Sequence, residues 1–199
     1  CIRDRSCETI PPGGLPRGFL FFIMNIVKIT RLGACCPLYT NAAEKREYQR
    51  RAMKILQNNE LEEEIRSYWT ERAKGYSEYN QQEMADARRI MWKRKLLSLL
   101  EEKFPGRKPS EIRILDAGTG PGFFAILLAE SGYQVTAVDA TEEMLKEAKH
   151  NAGELAGGIV WKTEDVQKLH VDNDSFDAVV TRNVTWNLPD PEAAYREWY

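Results

Sequence analysis

Between Asp116 and Gly122 the chain reads D-A-G-T-G-P-G, an acid followed by three glycines at alternate positions. The apolar run Ile114–Leu115 leads into it, and Phe123, Phe124, Ile126, Leu127 and Leu128 follow at helical spacing. A strand, a tight glycine turn and a helix start, in that order, form a cradle for a nucleotide-type cofactor. Glycine suits the turn because the backbone there visits angles a Cβ forbids, and because a ligand can lie against bare backbone. The helix start adds free N–H donors and a partial positive charge.

Two details narrow the cofactor. The dinucleotide fingerprint G-x-G-x-x-G puts its third glycine three places after the second. Here Gly118, Gly120 and Gly122 are spaced by two, and Phe123 stands where that third glycine belongs. Asp116, at the strand end beside the turn, would repel a pyrophosphate as a like charge. A cofactor without phosphate and with a positive amino group meets no such penalty, and S-adenosylmethionine fits that description.

Further motifs follow in order: Val135–Asp139 (V-T-A-V-D), Thr141–Ala148 (T-E-E-M-L-K-E-A), Thr163–Val166 (T-E-D-V), Ser175–Val180 (S-F-D-A-V-V) and Asn183–Pro191 (N-V-T-W-N-L-P-D-P). With these, the chain from about Leu61 onward resembles the class I S-adenosylmethionine-dependent methyltransferases, in particular the small-molecule branch of the ubiquinone/menaquinone-biosynthesis type. The resemblance implies a seven-stranded sheet in the order 3-2-1-4-5-7-6, of which this sequence is expected to encode the first four strands, a C-terminally truncated form.

Residue roles follow from position and from that resemblance. Gly118 and Gly120, with Thr119 between them, bring backbone to the methionine tail, and Asp116 receives its ammonium or charges the helix start. Asp139 ends the second strand, 23 residues after Asp116, where an acid accepts hydrogen bonds from both ribose hydroxyls. Its other reading, a helix cap, suits Thr141 better. Ala140 lies under the adenine edge, and Met144 packs either on adenine or in the core. By resemblance, Asp165 takes the adenine amino group, the Val166 N–H meets a ring nitrogen, and backbone of Arg182 or Asn183 lines the methionine end. The cluster Tyr68, Trp69, Arg72 and Tyr76 resembles the N-terminal lid of these enzymes. Its aromatic faces either pack or stabilise the sulfonium by cation–π attraction, with Tyr76 the best placed. Phe176 is expected to pack and Asp177 to cap or pair. His150 and His170 read as surface residues, and no catalytic residue is assigned.

The elements that must position these groups form an α/β pattern. Strands are expected at Ile112–Asp116, Val135–Asp139, Ile159–Thr163 and Asp177–Thr181. Helices are expected at Pro121–Ser131, Glu142–Gly153 and Pro191–Trp198. Such alternation gives a Rossmann-like parallel sheet with helices on both faces. Three helices precede it, Asn41–Leu56, Leu61–Tyr79 (its end loosened by Gly75) and Gln82–Phe104. The last is expected to bury Ala87, Ile90, Met91, Leu97, Leu100 and Phe104. The fourth strand is expected to be an open edge, prone to aggregation.

Of 199 residues, 43% are hydrophobic and 29% charged, with a net charge of -2. Residues 1–58 hold 10 Lys/Arg against 4 Asp/Glu, and the rest 18 against 26. The basic head (1–58) is read as non-native or disordered, residues 1 to about 52 as upstream sequence with Met53 a plausible start, 59–110 as a helical lid and 111–199 as the cofactor-binding half of the domain. The acidic domain has no basic stripe, so a small-molecule methyl acceptor is expected, and no nucleic acid. The lack of Pro-Pro after Asn183 also disfavours base methylation. All four cysteines lie in the head, which fits a cytoplasmic enzyme with no metal, and Phe19–Ile29 is too short to span a membrane. Two other readings stay open: a non-catalytic S-adenosylmethionine-binding protein, and a NAD-dependent oxidoreductase, against which the glycine spacing and Asp116 argue.

Overall fold

Five parallel strands form one sheet in a computed structural model that describes Leu20–Phe22 and residues 42–199, with side chains from residue 59 onward. In chain order the elements are β1 (Leu20–Phe22), α1 (Ala42–Ala85), α2 (Ala87–Lys103), β2 (Arg113–Ala117), α3 (Phe123–Ala129), β3 (Gln134–Asp139), α4 (Glu142–Ala152), β4 (Ile159–Thr163), β5 (Ala178–Val180) and α5 (Pro191–Trp198). The strand order is β1-β5-β2-β3-β4. From β2 the chain steps outward to β4 and then returns to pair β5 with β2. This reversal opens a crevice beyond the carboxyl ends of β2 and β5, the place where open α/β sheets bind ligands.

Strand side chains alternate between two cores, as the two-residue period of a strand requires. Ile114, Val135, Ala137, Ala178 and Val180 pack with α2 and α3 on one face. Leu115, Ala117, Val138 and Val179 pack with Ala194, Tyr195 and Trp198 of α5 on the other. Phe176 joins this second core, and Asp177 pairs with Arg107 and Arg113, as the sequence suggests.

Three expectations need correction. The edge of β5 is not open: Leu20–Phe22, from the basic head, pairs with Ala178–Val180 in parallel. The first two helices are one 44-residue helix running through Gly75. Glycine costs about 1 kcal/mol inside a helix, and here the buried face of Ala73, Ser77, Asn80 and Glu83 outweighs it. The break falls instead at Asp86, which leaves helical angles and caps α2 by accepting the Arg88 N–H at 2.7 Å. Finally, the apolar stripe of α2 is as expected only in its second half: Leu100 and Phe104 are buried, joined by Leu96, whereas Ala87 is exposed and Ile90 and Met91 are 62% and 56% exposed. The four cysteines lie outside the described residues.

Candidate functional site

A cleft with about 1040 Å³ of open volume lies over the carboxyl ends of β2, β3 and β5 and under α1. Tyr76, Asp116, Gly118, Thr119, Gly120, Asp139, Ala140, Met144, Asp165, Val166 and Arg182, the residues singled out from the sequence, all line it. Asn183 lines it too, in a left-handed conformation (φ 58°) that is uncommon for a non-glycine residue.

The glycine turn serves packing as well as access. Gly118 has φ +70°, and a Cβ there would lie 2.3 Å from Val184 Cγ2. The bare backbone at Gly118 is thus covered by Val184, from the segment after β5. Gly120 (φ +53°) would place its Cβ 3.6 Å from Tyr76 Cε1, so the Tyr76 ring faces this residue across the cleft. Gly122 lets α3 start close to α4, its Cβ position being 3.2 Å from that of Ala148.

Asp116 is 2% exposed. Its Oδ2 accepts the Thr119 hydroxyl at 2.6 Å and the Ala125 N–H, in the first turn of α3, at 2.9 Å. Both readings of this acid therefore coexist, since it caps a helix and lines the cleft. Burial pushes its carboxyl up to about 7, against the pull of those two hydrogen bonds, with the nearby Asp139 carboxylate adding to the rise.

Asp139 holds the turn together. Its Oδ2 accepts the Gly120 N–H at 2.9 Å, and its Oδ1 accepts the Thr141 N–H at 3.0 Å and the Thr141 hydroxyl at 2.8 Å. Burial raises its pKa while these donors oppose the rise. Thr141 is the N-cap residue of α4 but makes no side-chain cap; its hydroxyl donates to Asp139 instead. The Ala140 N–H is also directed at this carboxylate and opposes the rise.

At the far end of the cleft, Asp165 accepts the Gln167 N–H at 2.9 Å and its side-chain amide at 3.2 Å. Glu62, across from it on α1, is raised by burial and then by the charge of Asp165. Trp69 and Tyr76 line the cleft, their ring centroids 5.5 Å apart. Tyr68 and Arg72, expected beside them, face away: Tyr68 is 48% exposed, with the Arg72 guanidinium 4.5 Å above its ring. The Arg182 side chain is half-buried against the buried Glu83 and lies 4.5 Å from the Phe123 ring centroid. His150 and His170 are exposed and away from the cleft.

Sequence reasoning missed Asn80, Glu83, Asn151 and Gln167. Asn151 donates to Ser77 Oγ and to the Pro121 carbonyl, each at 3.0 Å, and accepts from Gln81 at 2.8 Å. It thereby ties α1 to α4 and to the glycine turn. A polar residue in the last turn of a helix gives no sign of such a role until α1 is laid across it.

Among the described residues no helix is long and apolar enough to cross a membrane. Residues 115–199 match a family described as a methyltransferase domain. The chain is 33% identical over 90 residues to the ubiquinone biosynthesis O-methyltransferase of Xanthomonas axonopodis pv. citri, a match covering 45% of this chain and 38% of that protein. It is 35% identical over 97 residues to the protein of the same name from a Caulobacter species, covering 48% of this chain and 38% of that one. The matches thus span well under half the length of these relatives. Among solved structures, an S-adenosyl-L-methionine-dependent methyltransferase of Methanococcus maripaludis superposes with a TM-score of 0.55 at 24% identity, covering 65% of this chain and 57% of that one. The magnesium protoporphyrin IX methyltransferase of Synechocystis PCC 6803, solved with bound SAM, does so with 0.54 at 21%, covering 69% and 70%. Residues 115–199 thus resemble a methyltransferase domain, and the sheet that carries the cleft has the fold of these two methyltransferase structures.

Proposed function

We propose that this protein transfers a methyl group from S-adenosylmethionine to a small-molecule acceptor, with the cleft under α1 as the cofactor site. One observation carries the reading: a buried acid at the end of β2 and a half-buried one at the end of β3 flank a glycine turn whose backbone opens onto a cleft. A pyrophosphate would meet Asp116 as a like charge, whereas a cofactor with an ammonium and a ribose finds acceptors for both. The names of the relatives favour an oxygen nucleophile on the acceptor. The cysteine-free domain suits the cytoplasm.

When bound, S-adenosylmethionine supplies a methyl group on a sulfonium, already activated for direct displacement by the acceptor, so no protein nucleophile is required. The chain's own residues then bind, align and exclude water. Asp116 faces the ammonium end. Gly118, Thr119, Gly120 and the backbone at Arg182 border the methionine chain. Asp139 turns its carboxylate to the ribose hydroxyls. Ala140, Met144, Asp165 and Val166 enclose the adenine. Trp69 and Tyr76 roof the cleft with aromatic faces suited to a cation. No residue is assigned as general base.

Calorimetric titration tests this. S-adenosylhomocysteine should bind and NAD should not. Asp139→Ala should weaken S-adenosylhomocysteine at least tenfold, the equivalent of ~1.5–3 kcal/mol for hydrogen bonds to a charged group. Tighter binding of NAD would reverse the assignment, and bound but unreacted S-adenosylmethionine across a panel of phenolic acceptors would favour the non-catalytic reading.

A further inference from the structure

Among the described residues two buried side-chain atoms lack a hydrogen-bond partner, Arg89 Nε and Asn80 Oδ1. Arg89 is already paired, its Nη2 lying 2.6 Å from Glu130, and it does not line the cleft. Asn80 is 4% exposed and does line it. A buried carbonyl without a donor is destabilising, and such groups in native proteins call for an explanation. A ligand that brings the donor is the explanation available in a cleft.

The position of Asn80 says which part of the ligand. It lies one helical turn after Tyr76 and one before Glu83, on the same face of α1. Tyr76 faces Gly120 of the glycine turn, and Glu83 grips Arg182 at the end of β5. Asn80 therefore sits between the turn and β5, at the end of the cleft where the reading above puts the amino-acid part of the cofactor. The second acceptor at this end is Asp116, whose Oδ2 is engaged and whose Oδ1 receives no hydrogen bond from the described residues. Two acceptors, one of them a carboxylate, suit a cation with several N–H bonds and disfavour an anion.

We propose that Asn80 is a cofactor-binding residue whose side-chain carbonyl accepts a hydrogen bond from the α-ammonium of S-adenosylmethionine. This rests on the cofactor reading above and deepens it. Calorimetry of the wild-type chain, Asn80→Leu and Asn80→Asp with three ligands tests it: S-adenosylhomocysteine, its decarboxylated analogue, which keeps the amine, and its deaminated analogue, which keeps the carboxylate. Asn80→Leu should weaken the two amine-bearing ligands about tenfold and leave the deaminated one within about twofold. Asn80→Asp, which keeps an acceptor, should retain the preference for the amine. The ligand-free Asn80→Leu protein should melt no lower than wild type, since it loses an orphan oxygen rather than a bond. Equal weakening of all three ligands, no weakening, or a loss that follows the carboxylate would overturn the assignment. Failure of the wild-type chain to bind S-adenosylhomocysteine would instead bring down the cofactor reading, and this one with it.

Discussion

Arg182 Nη2 lies 2.8 Å from both carboxylate oxygens of Glu83, 99 residues earlier in the chain. The pair fastens the lid helix α1 to the end of β5, and the guanidinium rests on the Phe123 ring at the start of α3. Three elements of the cleft thus meet at one charge. Glu83 is 5% exposed and Arg182 15%, so removing one partner strands the other in a poorly solvated place. Glu83→Ala should lose about 3–5 kcal/mol in urea unfolding. Replacing both by apolar residues, Glu83→Leu with Arg182→Met, should cost far less. A double variant as unstable as the single would show that the ion pair is not the source of the loss.

Val184 and Gly118 make a second interlock. Gly118→Ala combines a left-handed backbone angle, costing about 1–2 kcal/mol for an alanine, with a clash against Val184 Cγ2. The total should reach about 2–4 kcal/mol in chemical unfolding. Val184→Ala in the same chain should recover the steric part and leave the backbone part. If Val184→Ala recovers nothing, the strain lies in the turn alone.

The legible parts of this molecule are those in which local chemistry and tertiary position agree. Strands β2 to β5 fall within about one residue of the expected bounds because period-two apolar runs bounded by glycine, proline and acids have few other solutions. The cleft residues were legible for a related reason: Asp116, Gly120 and Asp139 sit at strand ends, and the fold alone brings strand ends together. The lid was harder. Gly75 marks a helix end in isolation, yet α1 passes through it because Ser77, Asn80 and Glu83 are buried on the far side. Tyr68 and Trp69 are adjacent and equally aromatic, and only the docking of α1 decides that Trp69 turns inward. Nothing local to residues 20–22 announces a partner 158 residues away.

That pairing predicts a change in solution behaviour. β5 is bonded to β2 on one side and to Leu20–Phe22 on the other. Removing residues 1–22 bares its outer N–H and C=O groups, a template for another chain. The shortened protein should elute from size-exclusion chromatography at higher apparent mass as concentration rises, while the full chain does not. An unchanged elution volume across concentrations would mean that β1 does not guard this edge.

Asp116 gives the molecule a pH dependence whose sign is fixed by burial. Its carboxyl titrates at about 7 when folded, against about 3.9 in an unfolded chain. Between those values the folded state holds the extra proton, so stability falls as pH rises through this window and levels off above it. The full span is worth about 4 kcal/mol. Asp116→Asn removes this contribution together with the Asp116–Asp139 repulsion, while the burial that raises Asp139 is present in both proteins. The stability of Asp116→Asn relative to wild type should therefore climb from pH 4 to pH 8. Binding works in the opposite sense, because a ligand ammonium favours the ionised acid. At pH 6, S-adenosylhomocysteine should displace about one proton from wild type, seen as a dependence of the calorimetric heat on the ionisation enthalpy of the buffer. Asp116→Asn should show much less release. Equal proton release from the two proteins would remove Asp116 from the cofactor site.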